Sequence, residues 1–217
     1  GMNGSFANVG YMGIPLFVAA FGPDNIAPPL LATVVVVTIS VTITSVMLEL
    51  MIGRGLGVGE IARNVASTMI TSPLIVSSLA GLAVSLSGFA LPVPIANLLD
   101  ILAVSASPCA LVAIGLFIAG QSLRAGLAEI GWVTALKLIV QPVVCWLLII
   151  TFVPLDPFWT ASAIILSALP AGTLTFVVAQ QYGTYVDRTS GIILVSTVLS
   201  VITLSIVMAI YGPSFAP

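Results

Sequence analysis

The chain has 217 residues, 59% of them hydrophobic and 6% charged, and its mean hydropathy is +1.26. A soluble domain carries about 25% charged residues, so five basic and seven acidic side chains cannot cover the surface of a soluble protein this long. The net charge of −2 rests on few groups, and the lack of a basic patch excludes nucleic acid as an electrostatic partner.

The elements read as an all-α integral membrane protein. The chain opens on a partial span, 5–21, that is interrupted in its middle. Full spans are predicted at 30–52, 67–88, 96–120, 130–153, 158–181 and 190–212. Each can hold the roughly 20 apolar residues that a bilayer requires. Charges mark the boundaries, since none falls between Asp24 and Glu49, Arg63 and Asp100, Asp100 and Arg124, or Lys137 and Asp156. The stretches from Asp156 to Asp187 and from Arg188 to the C-terminus are equally free of charge. Pro23, Pro28, Pro29, Pro92, Pro94, Pro154 and Pro157 fall in the connections, where turns are expected.

Two apolar stretches carry proline and glycine where a spanning helix should run unbroken. The first is Ala7-Asn8-Val9-Gly10-Tyr11-Met12-Gly13-Ile14-Pro15-Leu16, and the second is Ser167-Ala168-Leu169-Pro170-Ala171-Gly172-Thr173-Leu174-Thr175. Proline removes a backbone donor and glycine loosens the helix. Hydrocarbon cannot satisfy the freed N–H and C=O groups, so such breaks persist where they face protein, water or a bound solute. A pair of broken segments in separate parts of one chain points to a transporter binding site. Proline and glycine also make ordinary kinks in membrane helices, which is the bland alternative at each break taken singly.

Lys and Arg orient the chain. Arg54 and Arg63, then Arg124, then Arg188 occupy alternate loops, while 22–29, 89–95 and 154–157 contain no basic residue. By the positive-inside rule, loops 53–66, 121–129 and 182–189 face the cytoplasm. The first broken segment then leads outward through Phe21-Gly22 and a turn containing Asp24 into a Thr/Val/Ser-rich span. The second leads inward through Tyr182-Gly183 and a turn containing Asp187 into another such span. One local plan in two opposite orientations is the signature of inverted repeats. The predicted organisation is a remnant of a first repeat over 1–52, a cytoplasmic loop over 53–66, and a second five-helix repeat over 67–217 with its break around 167–175.

Other residues read as structural. Thr38, Ser40, Thr42, Thr44, Ser196 and Thr197 suit small-residue helix packing. Lys137, about two turns inside its span, is expected to snorkel to the cytoplasmic surface in preference to a substrate or coupling role. Glu49 and Asp100 lie near span ends and read as interfacial, with a proton site the alternative for Asp100. Cys109 and Cys145 read as small apolar residues on different helices. The chain has no His, no Ser/His/Asp set and no phosphate loop, so an ATP-driven pump is excluded and no enzyme, cofactor or metal cluster is predicted.

At the breaks the residues carry a family resemblance. Asn8-Val9-Gly10-Tyr11-Met12-Gly13-Ile14-Pro15-Leu16 resembles the fourth-helix crossover motif of the auxin efflux carrier family. Ala168-Leu169-Pro170-Ala171-Gly172, followed by Phe176 and Tyr182-Gly183, is similar to that family's ninth-helix motif. Ser107-Pro108 with Gly115, and Lys137 with Pro142, fit its seventh and eighth helices more loosely. The resemblance covers nearly the whole chain. It implies two inverted five-helix repeats, a scaffold domain and a crossover domain, and a secondary transporter of small organic anions such as mono- or dicarboxylates by alternating access.

On that alignment the chain begins within the fourth helix, and Gly1 before Met2 looks like a cloning remnant, so an N-terminally truncated member is expected. The resemblance makes Asn8 an amide donor to substrate, with the positive ends of half-helices holding a carboxylate beside it. Bonding a freed carbonyl is the other reading of Asn8. Thr173 and Thr175 add hydroxyl contacts or packing, while Gly13, Pro15, Pro170 and Gly172 shape the crossing. The expected partners are a small organic anion and the lipid bilayer, with a homodimer as a candidate assembly and a bacterial inner membrane as the setting. A channel and a non-transporting membrane subunit are the alternative functions.

Overall fold

The computed structural model describes residues 2–52, 59–60, 63, 66–67, 70, 73–88, 90–119 and 126–212. Most of loops 53–66 and 121–129, with Arg54 and Arg124, lie outside the described residues, as do the side chains of Thr38, Thr42, Glu49, Ser107, Pro108 and Gly115. The described chain is helical, and its one β-like feature is an isolated antiparallel bridge between Ala7 and Ala171.

The first segment is a short helix α1 (Met2–Ser5), a non-helical link, a π-helical turn over Val9–Gly13 and helix α2 (Ile14–Phe21). Helices α3 (Ala27–Ile52), α4 (Pro73–Ser87) and α5 (Val93–Ala119) follow. Next come α6 (Leu127–Ala135), a π-helical stretch over Leu136–Val140 and α7 (Gln141–Phe152), which together make one continuous rod. Helices α8 (Pro157–Ser167), α9 (Leu174–Gln181) and α10 (Val186–Tyr211) complete the chain. Leu127–Phe152 and Val186–Tyr211, each of 26 residues, are long and apolar enough to cross a bilayer. Expected span 158–181 divides into α8 and α9, and the intervening residues 168–173 lie within the predicted second break.

Local chemistry explains these boundaries. Asp156 caps α8 by accepting a hydrogen bond from Trp159 N at 3.2 Å, with Pro157 in the first turn where its missing N–H costs nothing. Both π-helical stretches end just before a proline. Ile14 N reaches back five residues to Val9 O ahead of Pro15, and Gln141 N reaches back five to Leu136 O ahead of Pro142. A proline ring collides with the carbonyl four residues earlier, so a wider turn relieves the clash without ending the helix.

Contacts divide the chain into two compact units, Gly1–Thr33 with Ser107–Pro217, and Val34–Ala106. In the first unit α10 packs against α6, α8 and α9, and α7 packs against α8. Ile130, Ala171, Ile192 and Ile193 form a buried cluster, with Val133, Phe176 and Val195 packed on it. The second break therefore sits in the core of its unit. Outward faces are apolar: Ile139, Val143, Leu147 and Ile150 on one rod, and Val198, Val201, Ile202 and Ile206 on α10, are exposed. In the second unit, Leu82, Leu86, Leu98, Leu102 and Val104 are likewise exposed and apolar.

The start of α10 is tied to the start of α6. Arg188 Nη1 donates to Glu129 Oε2 and, at 3.0 Å, to Tyr185 Oη, with the guanidinium 5.1 Å from the Tyr185 ring centre. Both charged side chains remain well exposed, at 44% and 38%. Such a pair contributes about 0.2–1 kcal/mol. Glu129→Gln is expected to lower the melting temperature of the purified protein by less than about 3 °C. Gly126→Ala should lower it further, because φ is +77° there and the new methyl would meet Arg188 Nε at 3.2 Å.

Candidate functional site

The two breaks meet. Asn8 N donates to Pro170 O at 2.9 Å, and Gly172 N donates to Phe6 O at 3.0 Å, so the two non-helical links pair as a minimal antiparallel ladder. Each link supplies the partners that the other lost when its helix was interrupted. Of the predicted site residues, Asn8, Pro170 and Gly172 are brought together at this pairing.

The first break lies earlier than its motif suggested. The non-helical residues are Phe6–Asn8, whereas Gly10 and Gly13 lie in the π-helical turn and Pro15 in the first turn of α2. Gly13 still serves the crossing, since a Cβ there would meet Leu166 and Leu169 side chains at 3.1 Å. Gly172 is more constrained: a Cβ would lie 2.5 Å from Phe6 Cδ1 and 3.2 Å from the backbone oxygen of Ala7. The close approach of the Phe6 ring, with the Ala7 backbone oxygen behind it, is what requires glycine here.

Three further polar groups are taken by side chains from neighbouring helices. Ala171 N donates to Ser196 Oγ on α10 at 3.1 Å. Ser167 O, the last carbonyl of α8, accepts Lys137 Nζ at 2.8 Å. Ser5 O, the last carbonyl of α1, accepts Gln141 Nε2 at 3.1 Å. Lys137 and Gln141 are four residues apart on one rod, so neighbouring positions of a single helix close both half-helices. The expected snorkelling of Lys137 is therefore overturned. Its side chain is 0% exposed and reaches a carbonyl that has no helical partner. A basic group at that end also meets the negative pole of α8.

The starts of the two following helices differ from their ends. Asn8 precedes the π-helical turn and Thr173 precedes α9, and neither makes a side-chain capping bond. Part of each start is already bonded, since Val9 N donates to Ala7 O at 2.8 Å, Thr175 N to Gly172 O at 3.1 Å and Phe176 N to Thr173 O at 3.0 Å. The other first-turn N–H groups are the donors left to offer. Asn8 is 4% exposed, and its backbone oxygen takes Met12 N and Gly13 N, each at 3.1 Å. Thr175 is buried and its hydroxyl donates to Gly172 O at 2.7 Å, which commits its proton to the backbone. Thr173 is half-buried beside it.

Sequence reading did not find Phe6, Gln141 or the contact made by Ser196, and it misplaced Lys137. Residues 137 and 141 did carry a signal, as polar residues four apart within a span. Ser196 carried none that separated it from the other hydroxyls of α10. Of the residues read as structural, Cys109 and Cys145 are free thiols, and Asp100 is exposed.

These contacts make two predictions. Gly172→Ala is expected to destabilise the protein by about 1–3 kcal/mol through overpacking against Phe6, whereas Gly131→Ala, whose Cβ meets nothing within 4 Å, leaves stability intact. Ser196→Ala strands the buried Ala171 N–H and is expected to cost a similar amount, about 1–3 kcal/mol. Thermal melts of the purified variants in one detergent measure both.

Over 205 residues the chain is 35% identical to a protein named "Putative malonate transporter" from Rhizobium meliloti (strain 1021), covering 94% of this chain and 64% of that one. The chain thus spans under two thirds of the length of that relative. The family model described as "Membrane transport protein" matches residues 1–208. The chain is therefore a member of the membrane transport protein family, which includes the auxin efflux carrier-like proteins.

Proposed function

We propose that this chain forms the substrate-binding part of a secondary carrier for small organic anions, including dicarboxylates of the malonate type. The observation that carries the reading is the pair of uncapped helix starts, at Asn8 and Thr173, on either side of the paired links. Helix starts carry roughly +0.5 of an elementary charge from unpaired N–H groups. A carboxylate is held there without Arg or Lys. Asn8 supplies the amide donor, Thr173 a hydroxyl, and Gly13, Pro15, Pro170, Gly172 and Thr175 set the shape of the crossing.

The same reading takes the two broken segments as inverted repeats. In support, each is followed by a turn with a glycine of positive φ, Gly22 at +83° and Gly183 at +61°. On this reading 1–52 belongs to one repeat and 67–217 to the other, in an inner membrane, with loops 53–66, 121–129 and 182–189 in the cytoplasm. Alternating access comes from the crossing, with its bound anion, moving against the rest of the carrier.

Uptake of labelled malonate by cells producing the protein tests the reading. Asn8→Ala removes a hydrogen bond to a charged group, worth about 1.5–3 kcal/mol, so uptake at low substrate concentration should fall roughly ten- to a hundredfold. Pro170→Ala should also cut uptake, by letting the second break close into helix. Wild-type flux in both variants would sink the site. A current that fails to saturate at modest substrate concentration would mark a channel instead. Absence of both flux and anion-dependent thermal stabilisation would mark a non-transporting subunit.

A further inference from the structure

The two carbonyl caps match in place and differ in charge. Gln141 closes α1 with a neutral amide, and Lys137 closes α8 with an amine. Among the described residues, Lys137 is the one acidic or basic side chain that is buried. A lysine ammonium has three N–H donors, and Ser167 O accepts one of them. Among the described residues no carboxylate pairs with Lys137, and the recorded ion pair is the exposed one between Arg188 and Glu129. A buried lysine is costly to keep charged, so its amine holds a proton best when an anion lies beside it. The carbonyl it caps stands three residues before Pro170, whose own carbonyl accepts Asn8 N. The unneutralised amine and the proposed carboxylate donors thus flank the same break.

We propose that Lys137 Nζ is the counter-charge for a second carboxylate of the substrate, so that the site selects dicarboxylates over monocarboxylates. One carboxylate meets Asn8 and the helix starts, and the other meets the two N–H groups that Ser167 O leaves free. This rests on the carrier reading above. The carbonyl bond remains in place throughout, so Lys137 keeps α8 closed while its charge is balanced by cargo. With the amine fully buried, that balance favours the loaded site over the empty one.

The test is competition for labelled malonate uptake by unlabelled malonate and by malonamic acid, in which one carboxylate is a neutral amide. The wild type should prefer malonate roughly tenfold or more, as the loss of one charge-assisted contact implies. Lys137→Met should bring the two competitors to within about twofold of each other. Lys137→Gln keeps a donor for Ser167 O and serves if the Met variant does not reach the membrane; it should lose the preference equally. Gln141→Leu disturbs the matching cap without changing charge, so it should slow uptake and keep the wild-type ratio. A wild-type ratio in both Lys137 variants, or loss of the ratio in Gln141→Leu, overturns the inference. If the wild type takes up neither acid, the carrier reading itself fails.

Discussion

Hydrocarbon offers nothing to a backbone amide, and that constraint organises this molecule. Two helices are interrupted inside an apolar unit, and each interruption frees polar groups that would be costly if unmet. The unit resolves this by setting the two interruptions against each other. Asn8 N bonds Pro170 O and Gly172 N bonds Phe6 O, so neither link would be stable without its partner. The contact is close enough that Gly172 has no room for a side chain beside Phe6. The core cluster around Ile192 and Ile193 holds Ala171 at this point.

What the links cannot supply comes from two neighbouring rods. Ser196 on α10 accepts from Ala171 N, and the rod over Leu127–Phe152 sends Lys137 to one half-helix and Gln141 to the other. The π-helical stretch over Leu136–Val140 lies just where these two side chains leave the rod. It exists because Pro142 forbids a normal turn, and it alters which face residues on either side present. Carbonyl ends are therefore closed at both breaks, while the N–H starts at Asn8 and Thr173 carry no side-chain cap. On the proposed reading, that asymmetry makes the crossing electropositive without Arg, which suits a ligand bearing carboxylates.

Helix packing in such a unit cannot rely on the hydrophobic effect alone. Lipid tails are as apolar as the valines and isoleucines that the rods expose, so those side chains gain little from contact with one another. Close approach of small residues and internal hydrogen bonds must do more of the work. Ser190, Ser196 and Ser200 on α10 are buried and each bonds a carbonyl of its own helix, which lets neighbouring backbones approach closely. Ser196 adds a bond to the break, so one hydroxyl joins helix packing to the site.

By itself the sequence determined the class, the positions of the long helices and the two places where helices fail. Composition, charge spacing and proline report directly on bilayer burial and backbone donors, and these are local properties. It also marked Pro170 and Gly172, as helix breakers in an apolar run, and Asn8, through the family resemblance. Tertiary structure decided what those breaks do. The first link proved to be Phe6–Asn8, ahead of its glycines and proline, because a wide π turn absorbs Pro15 without ending the helix. Lys137 points inward because a carbonyl thirty residues away in sequence needs a donor, and no local pattern encodes a partner at that range. Pairing of the breaks depends on two segments more than a hundred and fifty residues apart meeting backbone to backbone, a contact that side-chain identity hardly records.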